Sequence, residues 1–281
     1  MNKKEITYEP DNNLKKGYLS LLREIAVEIK ENRWLTYQLF KRDFFATYKQ
    51  SFFGIFWAFI VPFVSLGTFL LLNASGIFSA GNIKVPYPIY ALLGISFWNL
   101  FSTTVISGAD ALIKTGEMLT KINFSRKSLV FASLGTAIIS FLLQLIMVIF
   151  LFAHFKMMPK PAVLFLPLII IPIIALGAGF GLVLSIINAV TRDIGKILPM
   201  LVTFLMFLTP VLYEKPKLGI LTQVTKYNPL YYFISAVRDL TFNGFLSEPK
   251  GFYISCLFSI AVFLFTLLTF HLTETRIAER I

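Results

Sequence analysis

The sequence has little of what most enzymes use for chemistry. Its 281 residues include one cysteine, Cys256, and two histidines, His154 and His271. A single cysteine excludes an intramolecular disulfide, and because Cys256 lies in an apolar run it is interpreted as a packing residue. The two histidines are isolated, and we expect them at opposite membrane ends. We therefore expect neither a metal site nor a bound cofactor in this chain.

Charge is also scarce. Charged residues make up 15% of the chain, against about 25% in a soluble domain. Hydrophobic residues make up 56%, and the mean hydropathy is +0.73. These values indicate a membrane protein. The net charge of +11 is then interpreted as cytoplasmic loops facing anionic lipid and not as a nucleic-acid surface.

The sequence also lacks the motifs of a nucleotide-binding protein. No GxxxxGK[ST] phosphate loop is present, and "GAGFG" at 177–181 lies inside an apolar run, where it predicts close helix–helix packing. The carboxylates that could serve a membrane enzyme are scattered over separate loops: Asp110, Glu117, Asp193 and Asp239. We expect no catalytic residue.

Six apolar runs come close to the roughly 20 residues that a membrane-spanning helix needs. Their central parts contain no Asp, Glu, Lys or Arg, which disfavours a proton-coupled transporter and predicts that another subunit supplies the energy. The fold class predicted is an all-α membrane protein. The six runs are 52–73, 88–109, 129–153, 162–190, 197–213 and 252–272.

Basic residues predict the orientation. If both termini lie in the cytoplasm, 18 of the 26 basic residues fall in inner segments. We therefore predict a multi-pass protein of the plasma (bacterial inner) membrane. It would have a cytoplasmic arm at 1–51, a transmembrane domain at 52–272 and a cytoplasmic tail at 273–281.

The arm is predicted to be helical from 18 to 49. Within "RWLTYQLFKRDFFATYK" the apolar residues recur at three- and four-residue spacing, with basic residues between them. This pattern predicts an amphipathic helix lying in the cytoplasmic interface. The alternative is a solvated helix that packs on protein. The apolar set is Leu35, Leu39, Phe40, Phe44 and Tyr48.

The loop at 216–244 is too long for a turn and too apolar for disorder. Asn228 and Pro229 predict a helix start, and Gly244 predicts a stop. Arg238 and Asp239 argue against a full span, because each charge at mid-bilayer would cost about 2.5–3.5 kcal/mol. We predict a pair of short outer-leaflet helices, the first near 218–224, with both charges at headgroup depth. They would form a gate that includes Asn228, Pro229, Phe233 and Arg238.

Two further patterns have functional interpretations. The segment 114–128, "KTGEMLTKINFSRKS", combines four basic residues with an apolar edge, which suits either a protein-docking surface or contact with lipid headgroups.

Phenylalanines also form helical stripes that suit sliding contact with sugars, although packing or lipid contact would explain them equally. The stripes are Phe52, Phe56, Phe59 and Phe63 in the first run, and Met200, Phe204 and Phe207 in the fifth.

Four stretches together resemble a known family. They are "RDFFATYKQSFFGIFWAFIVP" (42–62), "KINFSRKSL" (121–129), "RDIGKILPMLVTFLMFLTPVLY" (192–213) and "NPLYYFISAVRDLTFNG" (228–244). Their residues and order are similar to those of the membrane (permease) subunit of type-2 ABC transporters that export polysaccharide. Three positions depart from the family pattern. Ser125 stands for a proline, Thr209 for a serine, and Lys127 for an acidic or polar residue.

The resemblance implies a homodimer that works with two copies of a separate ATPase chain, which would hold the ATP and Mg. The substrate would be a lipid-linked polysaccharide of the O-antigen (lipopolysaccharide), capsule or teichoic-acid type. The segment 114–128 would be a coupling helix that docks on the ATPase through Glu117, Met118, Leu119, Lys121, Ile122, Phe124 and Arg126. The interface helix would include Arg42, Asp43, Tyr48 and Lys49, and the phenylalanine stripes would line the channel.

Three alternatives stay open from the sequence. A related ABC permease could export a lipid or a drug, a membrane glycosyltransferase or polymerase would belong to another class, and a membrane scaffold to a third. An ATPase gene beside this one would favour a transporter. Turnover of sugar by the isolated chain would favour an enzyme.

Overall fold

The computed structural model describes residues 18–49, 54–75, 85–115, 126–191, 193–215 and 218–277. Throughout these ranges the regular structure is helical, which confirms the all-α prediction. The α-helices are α1 (Tyr18–Glu31), α2 (Arg33–Lys49), α3 (Trp57–Ala74), α4 (Tyr87–Asp110), α5 (Lys127–His154), α6 (Leu166–Thr191), α7 (Ile194–Leu208), α8 (Ile220–Tyr227), α9 (Pro229–Arg238) and α10 (Pro249–Ile277).

Four helices of the described chain are long and apolar enough to cross a membrane. They are α4, α5, α6 together with the short turn of helix before it (Pro161–Thr191), and α10 over Pro249–Thr273. These match the second, third, fourth and sixth predicted runs. The first and fifth runs correspond to α3 and α7. With 15 residues, α7 is about 22 Å long, against a hydrocarbon core of about 30 Å.

Local sequence explains where several elements begin and end. Asn228 precedes α9 as its N-cap and Pro229 is the first helical residue, as predicted. The helix continues as a wider turn over Asp239–Asn243 and stops at Gly244, whose φ of 88° is readily available to glycine. The end of α5 is marked by Lys156, at a φ of 51°, whose N–H bonds back to the Ala153 carbonyl.

The bundle core is centred on α4, which packs against α3, α5, α6, α7 and α9. The rings of Phe97 on α4 and Phe141 on α5 meet edge-on with centroids 4.9 Å apart. Glycines allow α4 and α6 to approach closely, because a Cβ built on Gly181 would lie 3.2 Å from the Gly108 Cα. The prediction that "GAGFG" serves helix packing is confirmed.

The two arm helices pack on the bundle. The chain turns at Asn32, so the predicted helical segment is divided into α1 and α2. Leu39 of α2 joins a buried apolar cluster, and the Phe40 ring lies so close to Gly135 of α5 that a Cβ there would be 2.5 Å away. One face of α2 therefore contacts protein, while the opposite side exposes Trp34, Tyr37 and Phe45.

Chain direction gives the bundle two ends. The arm end is where α1, the start of α5 and the C-terminal part of α10 meet. The loop end is formed by α8, α9, the 155–160 connection and residues 209–215. The Lys160 N–H donates to the Thr241 carbonyl there, so that connection is attached to the turn that follows α9.

Candidate functional site

At the loop end, residues 209–213 run through the interior without helical structure. Pro210 is the second residue after α7, and the side chains of Thr209, Val211 and Leu212 are almost fully buried. A proline does not continue a helix, which explains why the chain leaves helical geometry here. Backbone carbonyls that leave a helix inside an apolar bundle need other donors. Nearby side chains supply them.

Arg238 is the main donor. Its Nη1 donates to the Pro210 carbonyl at 2.9 Å and to the Tyr90 hydroxyl at 2.8 Å. Its Nη2 donates to the Val211 carbonyl and, at 3.3 Å, to the Tyr90 carbonyl. The guanidinium carbon lies 3.5 Å from the centroid of the Tyr90 ring, within the range of a cation–π contact. The planar fork of arginine can serve these acceptors together, which the ammonium of lysine cannot do.

Two tyrosines of α4 complete the set of donors. The Tyr87 hydroxyl donates to the Leu212 carbonyl at 3.2 Å, and the Tyr90 hydroxyl donates to the Tyr213 carbonyl at 3.1 Å. Four consecutive carbonyls, those of residues 210–213, therefore accept hydrogen bonds from side chains. Since Arg238 also donates to Tyr90, the donors form one connected network, which rigidifies the segment.

Asn228 attaches the start of α9 to the same segment. Its side-chain oxygen accepts from the Leu230 N–H at 3.0 Å, and its Nδ2 donates to the Thr209 hydroxyl at 2.8 Å. Thr209 keeps the hydroxyl of the serine that it replaces in the family pattern. Phe233, one turn along α9, is fully buried and contacts Phe252 edge-on. The structure thus brings Asn228 and Arg238 together at 209–213, while Phe233 packs in the apolar core.

Arg238 at the end of α9 and Asp239 directly after it are both buried. Headgroup depth stays a prediction; within the chain, Arg238 and Asp239 are each 8% exposed and lie among protein groups. Asp239 accepts from the Ser247 N–H at 2.8 Å and from the Asn243 side chain at 3.1 Å. Burial lowers the pKa of Arg238, and the nearby Tyr90 and Tyr87 partly offset that effect. Hydrogen bonding, not exposure, accommodates both charges.

A second cluster of charges lies at the arm end. Lys127, the first residue of α5, is 1% exposed, and its ammonium lies 2.9 Å from a carboxylate oxygen of Glu28 on α1. The Nδ1 of His271, near the end of α10, lies 3.9 Å from the same oxygen. The cluster therefore connects the arm to two helices of the bundle. Sequence reasoning counted Lys127 among the basic residues of 114–128 and as a departure from the family pattern, but it predicted no partner for it.

Polar groups inside the bundle also pair with one another, which the sequence reasoning missed. Asn188 of α6 donates to the Ala109 carbonyl and to the Asp110 carboxylate, both at 3.1 Å, and accepts from the Gly195 N–H at 2.9 Å. Asn99 of α4 donates to Gln144 of α5 at 3.0 Å. Asparagine or glutamine within an apolar run is a usable signal for such interhelical bonds.

Most of the predicted docking surface lies outside the described residues. This applies to Glu117, Met118, Leu119, Lys121, Ile122 and Phe124, whereas Arg126 immediately precedes α5. In the predicted interface helix, Arg42 and Asp43 form an ion pair of 2.8 Å on the surface of α2. Tyr48 and Lys49 belong to the last turn of α2.

The predicted channel aromatics face outward from the single chain. Four of them are exposed: Phe56 just before α3, Phe63 within α3, and Phe204 and Phe207 of α7. Phe59 is partly buried, and Phe52 lies outside the described residues. The side chains of this set that the structure describes do not lie together around a cavity within one chain. They form apolar surfaces that lipid or a second chain could cover.

These features define a multi-pass α-helical membrane protein whose polar networks lie at the two ends of its bundle. The chain belongs to the ABC-2 type transporter family, whose model matches residues 31–242. This is a family of membrane subunits of transporters. The matched range includes the arm helix α2, the network around 209–213 and all of α9.

Curated relatives agree with the family. The chain is similar to an O-antigen export system permease protein RfbA of Myxococcus xanthus, with 29% identity over 186 residues that cover 66% of this chain and 70% of that protein. It is also similar to a protein of the same name from Klebsiella pneumoniae, with 23% identity over 85% of this chain and 93% of that protein. A second Klebsiella pneumoniae protein of that name shows 24% identity over 85% and 91%.

Proposed function

We propose that this chain is the membrane subunit of an ATP-driven exporter that moves a lipid-linked cell-surface polysaccharide from the cytoplasmic to the outer face of the membrane. The observation that carries the proposal is the similarity to O-antigen export permeases along 85% of this chain and more than nine-tenths of two of those proteins. A polymer of the O-antigen type is favoured accordingly, and a teichoic-acid polymer is the related substrate class.

The proposed topology has six spans. In addition to the four long helices, α3 and the shorter α7 would cross the bilayer, with both termini in the cytoplasmic part of a bacterial inner membrane. The bias of basic residues supports this orientation. On this topology the arm end is cytoplasmic and the loop end, with α8 and α9, faces outward.

The energy would come from a partner. A separate ATPase, present in two copies beneath a homodimer of this chain, would bind ATP and Mg and receive the segment 114–128. Lys127 lies near the end of that segment and is paired with Glu28 of α1. Movement of the docked segment would therefore act on α1 and α5 together. The exposed aromatic faces of α3 and α7 would face the partner permease and form the walls of the path.

A substitution in the docking segment tests this arrangement. Phe124→Asp should reduce co-purification of the ATPase, because a charge replaces part of the apolar edge. Phe245→Asp is the matched control, since Phe245 is exposed at the loop end. The docking proposal fails if both variants retain the ATPase equally, or if only Phe245→Asp loses it, while both insert normally.

Deleting the gene tests the function. Cells that lack this chain should accumulate lipid-linked polymer on the cytoplasmic side and lose it from the surface, and inactivating the partner ATPase should have the same effect. Surface labelling and extraction of lipid-linked polymer from membranes measure the two pools. Normal surface polymer in the deletion strain would refute the proposal, and accumulation of a different lipid or a drug would favour the other permease class.

A further inference from the structure

A cavity of about 520 Å³ opens at the loop end, beside the network around 209–213. Its size lies within the range of about 300–1,000 Å³ typical of small-molecule sites. Three elements contribute most of its wall: α9, the 213–215 connection and the turn that leads into α10. Its walls include the aromatic residues Tyr90, Tyr213 and Tyr231 and the charged residues Glu214, Arg238 and Glu248.

The side chains of this cavity are held in place before any ligand arrives. Glu248 accepts from the Lys215 ammonium at 2.7 Å and from the Tyr231 hydroxyl at 2.8 Å. The Lys215 ammonium also lies 5.0 Å from the centroid of the Tyr231 ring. Burial and the bond to Glu248 raise the pKa of Tyr231 above its ordinary value.

The charges disfavour an anionic ligand. Among the described residues, three carboxylates, those of Glu214, Asp239 and Glu248, line the cavity together with two basic side chains. Lys215 is already paired with Glu248, and both Nη atoms of Arg238 donate to backbone carbonyls and Tyr90. A phosphate or carboxylate would thus meet excess negative charge and lack a free guanidinium fork.

A neutral, hydroxyl-rich ligand fits better. Carboxylate oxygens accept hydrogen bonds from sugar hydroxyls. Because no described residue is hydrogen-bonded to the Glu214 carboxylate, its oxygens can accept from such a hydroxyl. Tyrosine rings present flat apolar surface to the C–H faces of a pyranose while their hydroxyls remain polar. We propose that this cavity is a saccharide subsite that holds a neutral sugar unit of the polymer as it leaves on the outer face. The inference rests on the proposed function and its topology.

Protection of an introduced cysteine tests the subsite. In a Cys256→Ser background, Ser247→Cys places a thiol on an exposed lining residue, and the backbone N–H that donates to Asp239 is kept. Met158→Cys is the matched control, because Met158 is 90% exposed at the same end and does not line the cavity. Intact cells are labelled with a membrane-impermeant maleimide, with polymer synthesis either active or blocked at its first sugar transfer.

Labelling of Ser247→Cys should slow by about tenfold when polymer is made, whereas labelling of Met158→Cys should not change. The tenfold figure applies if the local sugar concentration is about ten times the Kd of the sugar for the cavity. Adding Ser235→Trp, which fills the cavity, should remove the dependence on polymer, whereas Ser235→Ala should retain it. Equal labelling with and without polymer, in cells that still export, overturns the subsite and leaves the proposed function standing. If labelling of Ser247→Cys is much slower than that of Met158→Cys but equally slow with and without polymer, another occupant such as a lipid headgroup is indicated, and the subsite is also overturned.

Discussion

Replacing Arg238 with lysine should loosen the 209–213 segment while the positive charge is kept. The guanidinium donates to the Pro210 and Val211 carbonyls and to Tyr90, and an ammonium cannot reach these acceptors in the same geometry. Hydrogen bonds to charged groups contribute about 1.5–3 kcal/mol each, and a buried carbonyl left without a donor adds its desolvation cost. Losing two of them should cost about 3 kcal/mol or more.

Thermal unfolding of the detergent-purified chain measures this cost. A loss of about 3 kcal/mol should lower the Tm by about 6 °C or more. Arg23→Lys on the exposed side of α1 is the matched control and should stay within about 0.5 kcal/mol of the unchanged protein. General destabilisation could also lower the Tm, so a local measurement is needed as well.

Maleimide labelling of Leu212→Cys supplies the local measurement. Leu212 is 3% exposed, so a thiol there should react slowly while Arg238 holds the segment. In the Arg238→Lys background the thiol should become reactive well below the Tm. The argument would be refuted if Arg238→Lys left both the Tm and the reactivity of Leu212→Cys unchanged, because the hydrogen bonds would then not be what orders the segment.

Two other changes give contrasting outcomes. Gly94→Ala should lower the Tm, because a Cβ there would lie 2.5 Å from both the Arg238 Nη2 and the Val211 carbonyl oxygen. Gly67→Ala should leave the Tm unchanged or raise it slightly, because a Cβ there would have nothing within 4 Å. Glu28→Gln should lower the free energy of unfolding by up to about 3–5 kcal/mol, because it leaves the 1% exposed Lys127 ammonium without its carboxylate. Lys127→Met should cost less, because the Glu28 side chain that it leaves unpaired is 27% exposed and can be hydrated. Equal Tm values for the two glycine variants, or the reverse order for the charge variants, would contradict these assignments.

Patterns that depend on neighbouring residues were predictable from the sequence. The cap at Asn228, the start at Pro229 and the stop at Gly244 follow from local backbone preferences and are confirmed. The role of "GAGFG" was predictable too, because small residues four apart in an apolar helix serve close packing. Gly181 meets Gly108 as expected.

Contacts between distant segments were not predictable in this way. Arg238 bonds to Tyr90, 148 positions away in the sequence, and Lys127 bonds to Glu28, 99 positions away. Rules for charge in a bilayer predict only a depth for Arg238, because they include no cost or gain from specific partners. A single sequence gives no signal for such a partner, and only the packing of α4, α7 and α9 reveals it.

ATP-dependent movement of polymer by the reconstituted complex tests the central claim most directly. Proteoliposomes that contain this chain and its partner ATPase, loaded with radiolabelled lipid-linked polymer, should move the label across the bilayer when ATP and Mg are supplied on the ATPase side. Vesicles that lack either chain should not. Equal movement by the ATPase alone, or none by the complete complex while it hydrolyses ATP, would contradict the claim that this chain forms the export path.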